Sequence, residues 1–174
     1  DVSDVDAPVE ESKIIIGDRG TSSAALYDPK AFLFQKSKNL LVIPVDLYLI
    51  NGSESVSEVW QNRVPPLVTP DESVSILPIT TPFIGSGSAS SQYGDFVWQG
   101  VYILDVSVDN GLTVRGNVTQ LDNPEMLIDN PSLTLRSDYL WTASNHFIVR
   151  SHYNGNVLYT FSDSRLQLNA LDDF

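Results

Sequence analysis

Cysteine is absent from this chain of 174 residues, and basic residues are scarce. Without cysteine the chain has no disulfide, thiolate metal ligand or cysteine nucleophile, but its compartment stays open because many exported proteins also lack disulfides. Ten lysines and arginines stand against 22 aspartates and glutamates, which gives a formal net charge of -12. Nucleic-acid binding needs clustered basic side chains that neutralise phosphates, so this composition argues against a nucleic-acid partner.

Long apolar segments are also missing. No run approaches the roughly 18 apolar residues of a membrane-spanning helix, so no membrane span is predicted. The opening string DVSDVDAPVEES has neither the basic region nor the apolar region of a secretion signal. If the protein is exported, we therefore expect its signal to have been removed.

Strand-like segments dominate what is present, since no segment longer than a turn or two has the apolar spacing of a helix. The strings DNG at 109–111 and NGN at 154–156 supply residues that tolerate positive φ, as tight hairpins require. The sequence therefore predicts an all-β protein made of antiparallel meanders. The predicted strands cover residues 13–16, 31–34, 39–50, 96–108, 112–121, 146–153, 157–162 and 165–171.

The segment YGDFVWQGVYILDVS at 93–107 is apolar on both faces of its predicted strand. Trp98 and Tyr102 point to one face, and Val101 and Ile103 point to the other. An antiparallel sheet with one face in water would alternate apolar and polar residues instead. The pattern favours the four-stranded blades of a β-propeller, which pack face to face, with a β-sandwich as the alternative architecture. Trp98 is accordingly predicted to be a core residue.

Residues 51–92 have a different composition. Five prolines interrupt any strand there, and GSGSASS at 85–91 is typical of a flexible linker. Connections of this length are uncommon in compact domains unless they have a function, so the insertion is a candidate recognition surface. Trp60 within it, and Trp141 further along the chain, are candidates for exposed surface contacts such as a carbohydrate platform.

Motifs for metal binding and catalysis are sparse. Asp1, Asp4 and Asp6 alternate in DVSDVD and are calcium candidates, although the string lacks the glycine and the final glutamate of a calcium loop. His146 and His152 lie in or beside one predicted strand and would share a face, but their spacing is wider than that of the usual short metal pairs. We predict structural or surface roles for both histidines. No nucleophile elbow occurs, and no catalytic residue or resident cofactor is predicted.

Two further motifs have local interpretations. NGS at Asn51 and NVT at Asn117 are glycosylation acceptors by pattern, meaningful only if the protein is exported. In GDRGT at 17–21, Asp18 and Arg19 are predicted to pair with each other or to cap backbone groups between blades.

Three stretches carry a resemblance to a known family. They are IIIGDRGTSSAALYDPKAFLFQKSKNLLVIPV at 14–45, YGDFVWQGVYILDVS followed by LTVRGNVTQL within 93–121, and NGNVLYTFSDSRLQLNALDDF at 154–174. These strings resemble secreted proteins of archaea and some bacteria whose C-terminal β-propeller domain is distantly related to WD40 repeats. The resemblance implies that residues 1–30 end a preceding blade, that 31–121 form one blade with the insertion at 51–92, and that 122–174 form most of a following blade.

The length of the chain bounds the number of blades. At roughly 40 to 45 residues a blade, it holds about two to three, fewer than the roughly four to eight that close a ring. The resemblance therefore implies a C-terminal piece whose partners are the remaining blades of the parent propeller or copies of itself.

The predicted role is a non-catalytic exported module that binds or builds structure at the cell surface, with a cell-envelope protein or polysaccharide as partner class. Two alternatives stay open: a structural subunit of an extracellular assembly formed by blade-edge pairing, and a carboxylate- or metal-dependent hydrolase.

Overall fold

The computed structural model describes residues 3–50, 93–122, 124 and 143–174 of the chain. In these ranges the protein is all-β, with short 3₁₀ turns and two antiparallel sheets. No helix in the described ranges is long and apolar enough to cross a membrane. The strands are β1 (Leu33–Gln35), β2 (Leu40–Leu49), β3 (Asp95–Ser107), β4 (Gly111–Val118), β5 (Arg150–Asn154), β6 (Val157–Phe161) and β7 (Leu166–Ala170).

The first sheet contains β1 to β4 in chain order, and the second contains β5, β6 and β7 in chain order. Each strand pairs antiparallel with the next, so both sheets are the meanders that the sequence predicts. Gly111 and Gly155 lie at the two hairpin tips with φ of 68° and 59°, a conformation that favours glycine. The turn predictions at DNG and NGN are therefore confirmed.

The first sheet is covered on both faces, as the apolar pattern of β2 and β3 predicts. Its front face carries the buried Trp98 and Tyr102, and Ile14 and Ile16 pack against this cluster. Its back face packs on the second sheet through two sets of buried side chains. These are Leu40, Val42, Val101, Ile103 and Val118 from the first sheet, and Ile148, Leu158 and Leu171 from the second sheet and its flanks. Burial of such side chains stabilises the fold by roughly 1.5 to 3 kcal/mol each.

Four predicted strands differ from the observed structure, and the simplest difference is that the strand predicted at 112–121 ends at Val118. Residues 13–16 form no strand, because Ile14 and Ile16 pack on a sheet face instead of joining a ladder. The segment predicted at 31–34 becomes a strand only at Leu33, since Pro29–Ala31 forms a 3₁₀ turn capped by Asp28.

The remaining difference concerns the histidines. The strand predicted at 146–153 begins at Arg150, because residues 143–146 form a helical turn in which the His146 N–H donates to the carbonyl of Ala143. His146 and His152 therefore do not share a strand, and that prediction is wrong. The predicted blade boundaries at residues 30, 121 and 122 stay predictions, although the two sheets fall within 31–121 and 122–174.

Candidate functional site at the junction of the two sheets

Gln99 is the polar residue on which the junction is centred. It lies on β3 within an apolar strand and is 2% exposed. Its Nε2 donates to the carbonyl of Ile148 at 2.9 Å, and its Oε1 accepts from the N–H of Ile148 at 2.8 Å. The side chain thus pairs with a backbone segment just before β5 as a neighbouring strand would. The backbone carbonyl of Gln99 accepts a hydrogen bond from Thr119 Oγ1 at 2.6 Å. The side-chain amide and the backbone carbonyl of this buried residue are therefore satisfied by hydrogen bonds.

Asp46 extends this hydrogen-bond chain to the N-terminal part of the protein. Its carboxylate accepts from Ser22 Oγ at 3.2 Å and from the Gln99 side chain. Burial raises the pKa of Asp46 above its ordinary value, and the two hydrogen bonds lower it by less. A raised pKa is a property of many catalytic carboxyls. Here, however, the oxygens of the carboxyl serve the connection from Ser22 through Asp46 and Gln99 to Ile148.

A second polar contact joins the sheets beyond the end of β4. Gln120, 3% exposed, donates from Nε2 to the carbonyl of Thr160 at 2.9 Å and to its Oγ1 at 3.1 Å. Arg165, in the turn between β6 and β7, donates to the carbonyl of Gln120 at 3.0 Å. The chain leaving the first sheet is therefore bonded to two places on the second.

Arg165 also forms a bidentate ion pair with Asp122, with N–O distances of 2.8 and 2.9 Å. The guanidinium holds the pKa of Asp122 below its ordinary value. His146 Nδ1 lies 3.4 Å from Asp122 Oδ2, so the carboxylate is shared between two basic groups. Both partners of the Arg165 pair are exposed, and such surface pairs contribute little to stability, so their effect is to fix the geometry of the turn.

The GDRGT segment lies along the part of the β2 edge that the short strand β1 does not cover, since β1 pairs only with residues 40–42 of β2. Asp18 Oδ2 accepts from the N–H of Ile50 at 2.9 Å, and the Asp18 N–H donates to the carbonyl of Tyr48 at 2.8 Å. Beside it, Arg19 lies over the ring of Tyr93, 4.5 Å from the ring centroid. The prediction that Asp18 caps backbone groups is confirmed, but the capped groups belong to one strand edge of the first sheet. Open edges invite pairing with other chains, and these bonds protect this one.

The calcium candidates are exposed where they are described. Asp4 Oδ1 accepts from the N–H of Asp6 at 3.0 Å, which is a local turn, and Asp1 lies outside the described residues. Within the described ranges no three His, Asp or Glu side chains form a group that could hold a metal ion. Calcium binding by DVSDVD stays a prediction.

Besides Asp1, the candidates Asn51, Trp60 and Trp141 and the insertion at 51–92 as a whole lie outside the described residues. The second glycosylation candidate, Asn117, lies on β4 and is 2% exposed. A glycan attached there would occupy the protein interior, so the pattern at Asn117 does not mark an accessible acceptor in this fold. The core role predicted for Trp98 is confirmed, since its side chain is fully buried.

Sequence reasoning missed the polar residues of the junction. The signal was present for Gln99, which interrupts the apolar string VWQGV, and was weaker for Gln120, which follows the mixed string LTVRGNVT. A buried amide must find hydrogen-bond partners, and those partners had to come from another element. Which element they come from depends on the tertiary packing alone.

Two buried donors on the front face differ from the fully bonded Gln99 side chain, and the Oε1 of Gln120 shares their lack of a partner among the described residues. Trp98 Nε1 and Tyr102 Oη have no hydrogen-bond partner among the described residues, although the two rings contact each other edge to face at 5.5 Å between centroids. Burial raises the pKa of the Tyr102 hydroxyl strongly, so this group stays protonated at any ordinary pH.

Comparison with known proteins identifies one family. A family model described as "Beta propeller domain" matches residues 1–174. No curated protein and no solved structure matches the chain.

Proposed function

Since the chain belongs to the β-propeller domain family, we propose that it is a non-catalytic exported module that binds a partner or builds structure at the cell surface. Its four-stranded and three-stranded antiparallel sheets are partial propeller blades. A domain of this family indicates a binding or structural module, while the fold itself names no ligand.

One observation carries the non-catalytic part of the proposal. The connection from Ser22 through Asp46 and Gln99 to Ile148 uses the one described carboxyl whose pKa is raised by burial. A general acid or base must have its carboxyl within reach of a substrate. Asp46 is instead engaged by two neighbouring side chains, which supports a structural role for it.

The location outside the cell is proposed from the resemblance of residues 14–45, 93–121 and 154–174 to secreted proteins. The net charge of -12 agrees with it only in so far as such a charge keeps a protein soluble and discourages non-specific association. The partner class we propose is a cell-envelope protein or polysaccharide, contacted through residues 51–92 and the neighbouring loop ends.

Surface digestion of intact cells tests the location. A protease added to whole cells should remove the protein from an immunoblot, while a cytoplasmic marker stays intact. Full protection on whole cells, followed by cleavage after lysis, would contradict export. A panel of glycoside and peptide substrates tests the non-catalytic part: turnover by the wild-type protein that Asp46→Asn abolishes would overturn it.

A structural subunit of an extracellular assembly is the second candidate. It is favoured by the large apolar side chains that the second sheet exposes, among them Phe161, Leu166 and Leu168. Exposed apolar patches on soluble proteins often mark interaction sites.

A further inference from the structure

Two hairpins of the described structure carry the dipeptide Asn-Gly at their turns. Asn110–Gly111 lies between β3 and β4, and Asn154–Gly155 lies between β5 and β6. Both asparagines are exposed. Asparagine is a thermolabile residue, and a following glycine, which has no Cβ, leaves its own backbone nitrogen open to reaction with the asparagine side chain. The two dipeptides therefore offer the same local chemistry in two different settings.

The reaction available to an Asn-Gly sequence is an intramolecular deamidation. The backbone nitrogen of the glycine attacks Cγ of the asparagine, a C–N bond forms, and the side-chain nitrogen leaves as ammonia with the proton that the glycine nitrogen gives up. Water then opens the resulting succinimide ring at either carbonyl. The product is aspartate or isoaspartate, in which the main chain runs through the former side-chain carbon. Solvent water is the only co-reactant.

The setting of Asn154 leaves the attacking nitrogen accessible. Asn154 pairs with Val157, so residues 155 and 156 form a two-residue loop, and Gly155 lies outside the ladder of β5 and β6. Gly155 is exposed, with φ of 59°, and no atom of the described residues beyond its chain neighbours lies within 4 Å of a Cβ placed on it. The peptide unit that joins Asn154 to Gly155 can therefore rotate toward the asparagine side chain without displacing a neighbour.

Gly111, in the other hairpin, is held in place by its neighbours. It is the first residue of β4 and pairs with Ser107 of β3, so it belongs to the ladder. A Cβ placed on Gly111 would overlap the side chain of Ser12, whose Oγ accepts from the N–H of Leu112 at 3.0 Å. The N–H of Asn110 donates to Ser107 Oγ at 3.0 Å. Rotation of the peptide unit between Asn110 and Gly111 therefore requires the hairpin and the Ser12 segment to separate first.

We infer that Asn154 is a site of spontaneous deamidation in the folded protein, and that the packing of the β3–β4 hairpin protects Asn110 from the same reaction. Conversion of Asn154 adds a negative charge at the β5–β6 turn. The isoaspartyl product also lengthens the main chain beside the Asn154–Val157 pair that closes the hairpin. Leu158, the next residue of β6, lies in the apolar cluster between the two sheets, so the altered hairpin adjoins the junction.

Asn156 provides a comparison within the same loop. It is exposed, as Asn154 is, but the residue that follows it is Val157. The branched side chain of valine crowds its own backbone nitrogen, and Val157 is held in the ladder by its pairing with Asn154. If exposure alone decided the rate, Asn154 and Asn156 would convert equally. The inference requires Asn154 to be the faster of the two, because its attacking nitrogen belongs to an unhindered glycine.

Peptide mapping by mass spectrometry tests the inference on the wild-type protein, incubated at mildly alkaline pH and sampled over several weeks. Each asparagine is read separately, because a further Asn-Gly sequence at 51–52 lies outside the described residues. A parallel sample in urea gives the rates of the unfolded chain, where Asn110 and Asn154 should convert equally fast. In the folded protein we expect Asn154 to stay within several-fold of its unfolded rate, and Asn110 and Asn156 to convert many-fold more slowly than Asn154.

A matched variant tests the protection of Asn110. Ser12→Ala removes the hydroxyl that accepts from Leu112 and lies against Gly111, and it should raise the rate at Asn110 several-fold while the rate at Asn154 stays unchanged. An unaltered rate at Asn110 would overturn the protection assigned to this packing. Folded wild-type protein in which Asn154 converts no faster than Asn110, or no faster than Asn156, would overturn the inference as a whole.

Discussion

Gln99 and Ile148 are joined by two hydrogen bonds that run in opposite directions across the junction of the two sheets, at 2.9 and 2.8 Å. One residue lies in the middle of β3, and the other lies two positions before β5. Two sheets that meet face to face share no backbone hydrogen-bond ladder, and the Gln99–Ile148 pair provides backbone-type hydrogen bonds between them. Since apolar packing alone permits two sheets to slide, this directional contact sets their relative position.

Gln99→Leu should destabilise the fold more than its volume change suggests. The substitution leaves the buried N–H and carbonyl of Ile148 without their partners, and each unsatisfied group costs about 1 to 3 kcal/mol. We expect a loss of roughly 2 to 4 kcal/mol in the free energy of unfolding, measured by urea denaturation. The control is Gln35→Leu, because the described hydrogen bond of the Gln35 side chain is with the exposed Ser37 hydroxyl. Equal losses in the two variants would contradict the role given to Gln99.

Asp46→Asn should change the pH dependence of stability. The pKa of Asp46 is raised in the folded state from an ordinary value of 3.8. The contribution of such a group to stability is fully present below the pKa that it has in the unfolded chain, where it is protonated. The contribution is lost as the pH rises through the higher pKa that the group has in the folded protein. At neutral pH the charged carboxylate therefore opposes folding, and the neutral amide does not.

The expected result is that Asp46→Asn gains unfolding free energy relative to the wild type at pH 7, and that the gain declines as the pH falls toward 3.8. Urea denaturation at several pH values measures it. A variant that is less stable at pH 7, with a deficit that shrinks on acidification, would show that the charged form is the one favoured by the fold.

Tyr102→Phe should be tolerated or slightly stabilising. The Tyr102 hydroxyl is buried and has no hydrogen-bond partner in the part of the chain that the structure describes, so its removal should relieve a desolvation penalty without breaking a hydrogen bond. We expect a change between zero and about 1 kcal/mol of stabilisation, read from the thermal midpoint and the urea midpoint. A loss above this size would mean that the hydroxyl has a partner in solution.

Gly100→Ala should be severely destabilising. A Cβ at Gly100 would overlap the carbonyl oxygen of Val118 and the indole ring of Trp98, both of which are held by the first sheet. The comparison variant is Gly155→Ala, at a hairpin tip where a Cβ meets nothing within 4 Å and only the positive φ of 59° is strained. Gly155→Ala should cost about 1 to 2 kcal/mol, and Gly100→Ala should cost more. Similar losses at both positions would indicate that β4 can move away from β3.

The strands were predictable where their apolar pattern was continuous on two faces. β2 and β3 were predicted within one residue at each end. Each is a long run with apolar side chains on both faces and without the apolar spacing of a helix, so a buried strand is the structure that suits it. The segment at 13–16 has the same local pattern and forms no strand. The local sequence does not distinguish a strand from a segment that packs across a sheet face. Which of the two forms depends on whether a neighbouring strand has a free edge to pair with.

The candidate site was less predictable than the fold. The acidic string DVSDVD predicts a calcium site because its spacing resembles a motif, yet the described Asp4 and Asp6 are exposed and form a local turn. Asp46 and Gln99 carry no motif at all. Their partners are Ser22 and Ile148, which are distant in sequence and come close only when the sheets stack. Long-range polar pairing of this kind is a product of tertiary structure.

Amide hydrogen exchange at Ile148, followed by NMR, is the most direct test of the claim that the two sheets stack as neighbouring blades locked by Gln99. Ile148 lies outside any strand, so only the bond to Gln99 and the burial at the junction protect its N–H. We predict exchange as slow as that of the central β3 amides in the wild type, and much faster exchange in Gln99→Leu. Exchange in the wild type as fast as that of the hairpin-tip amide of Val108 would contradict the account.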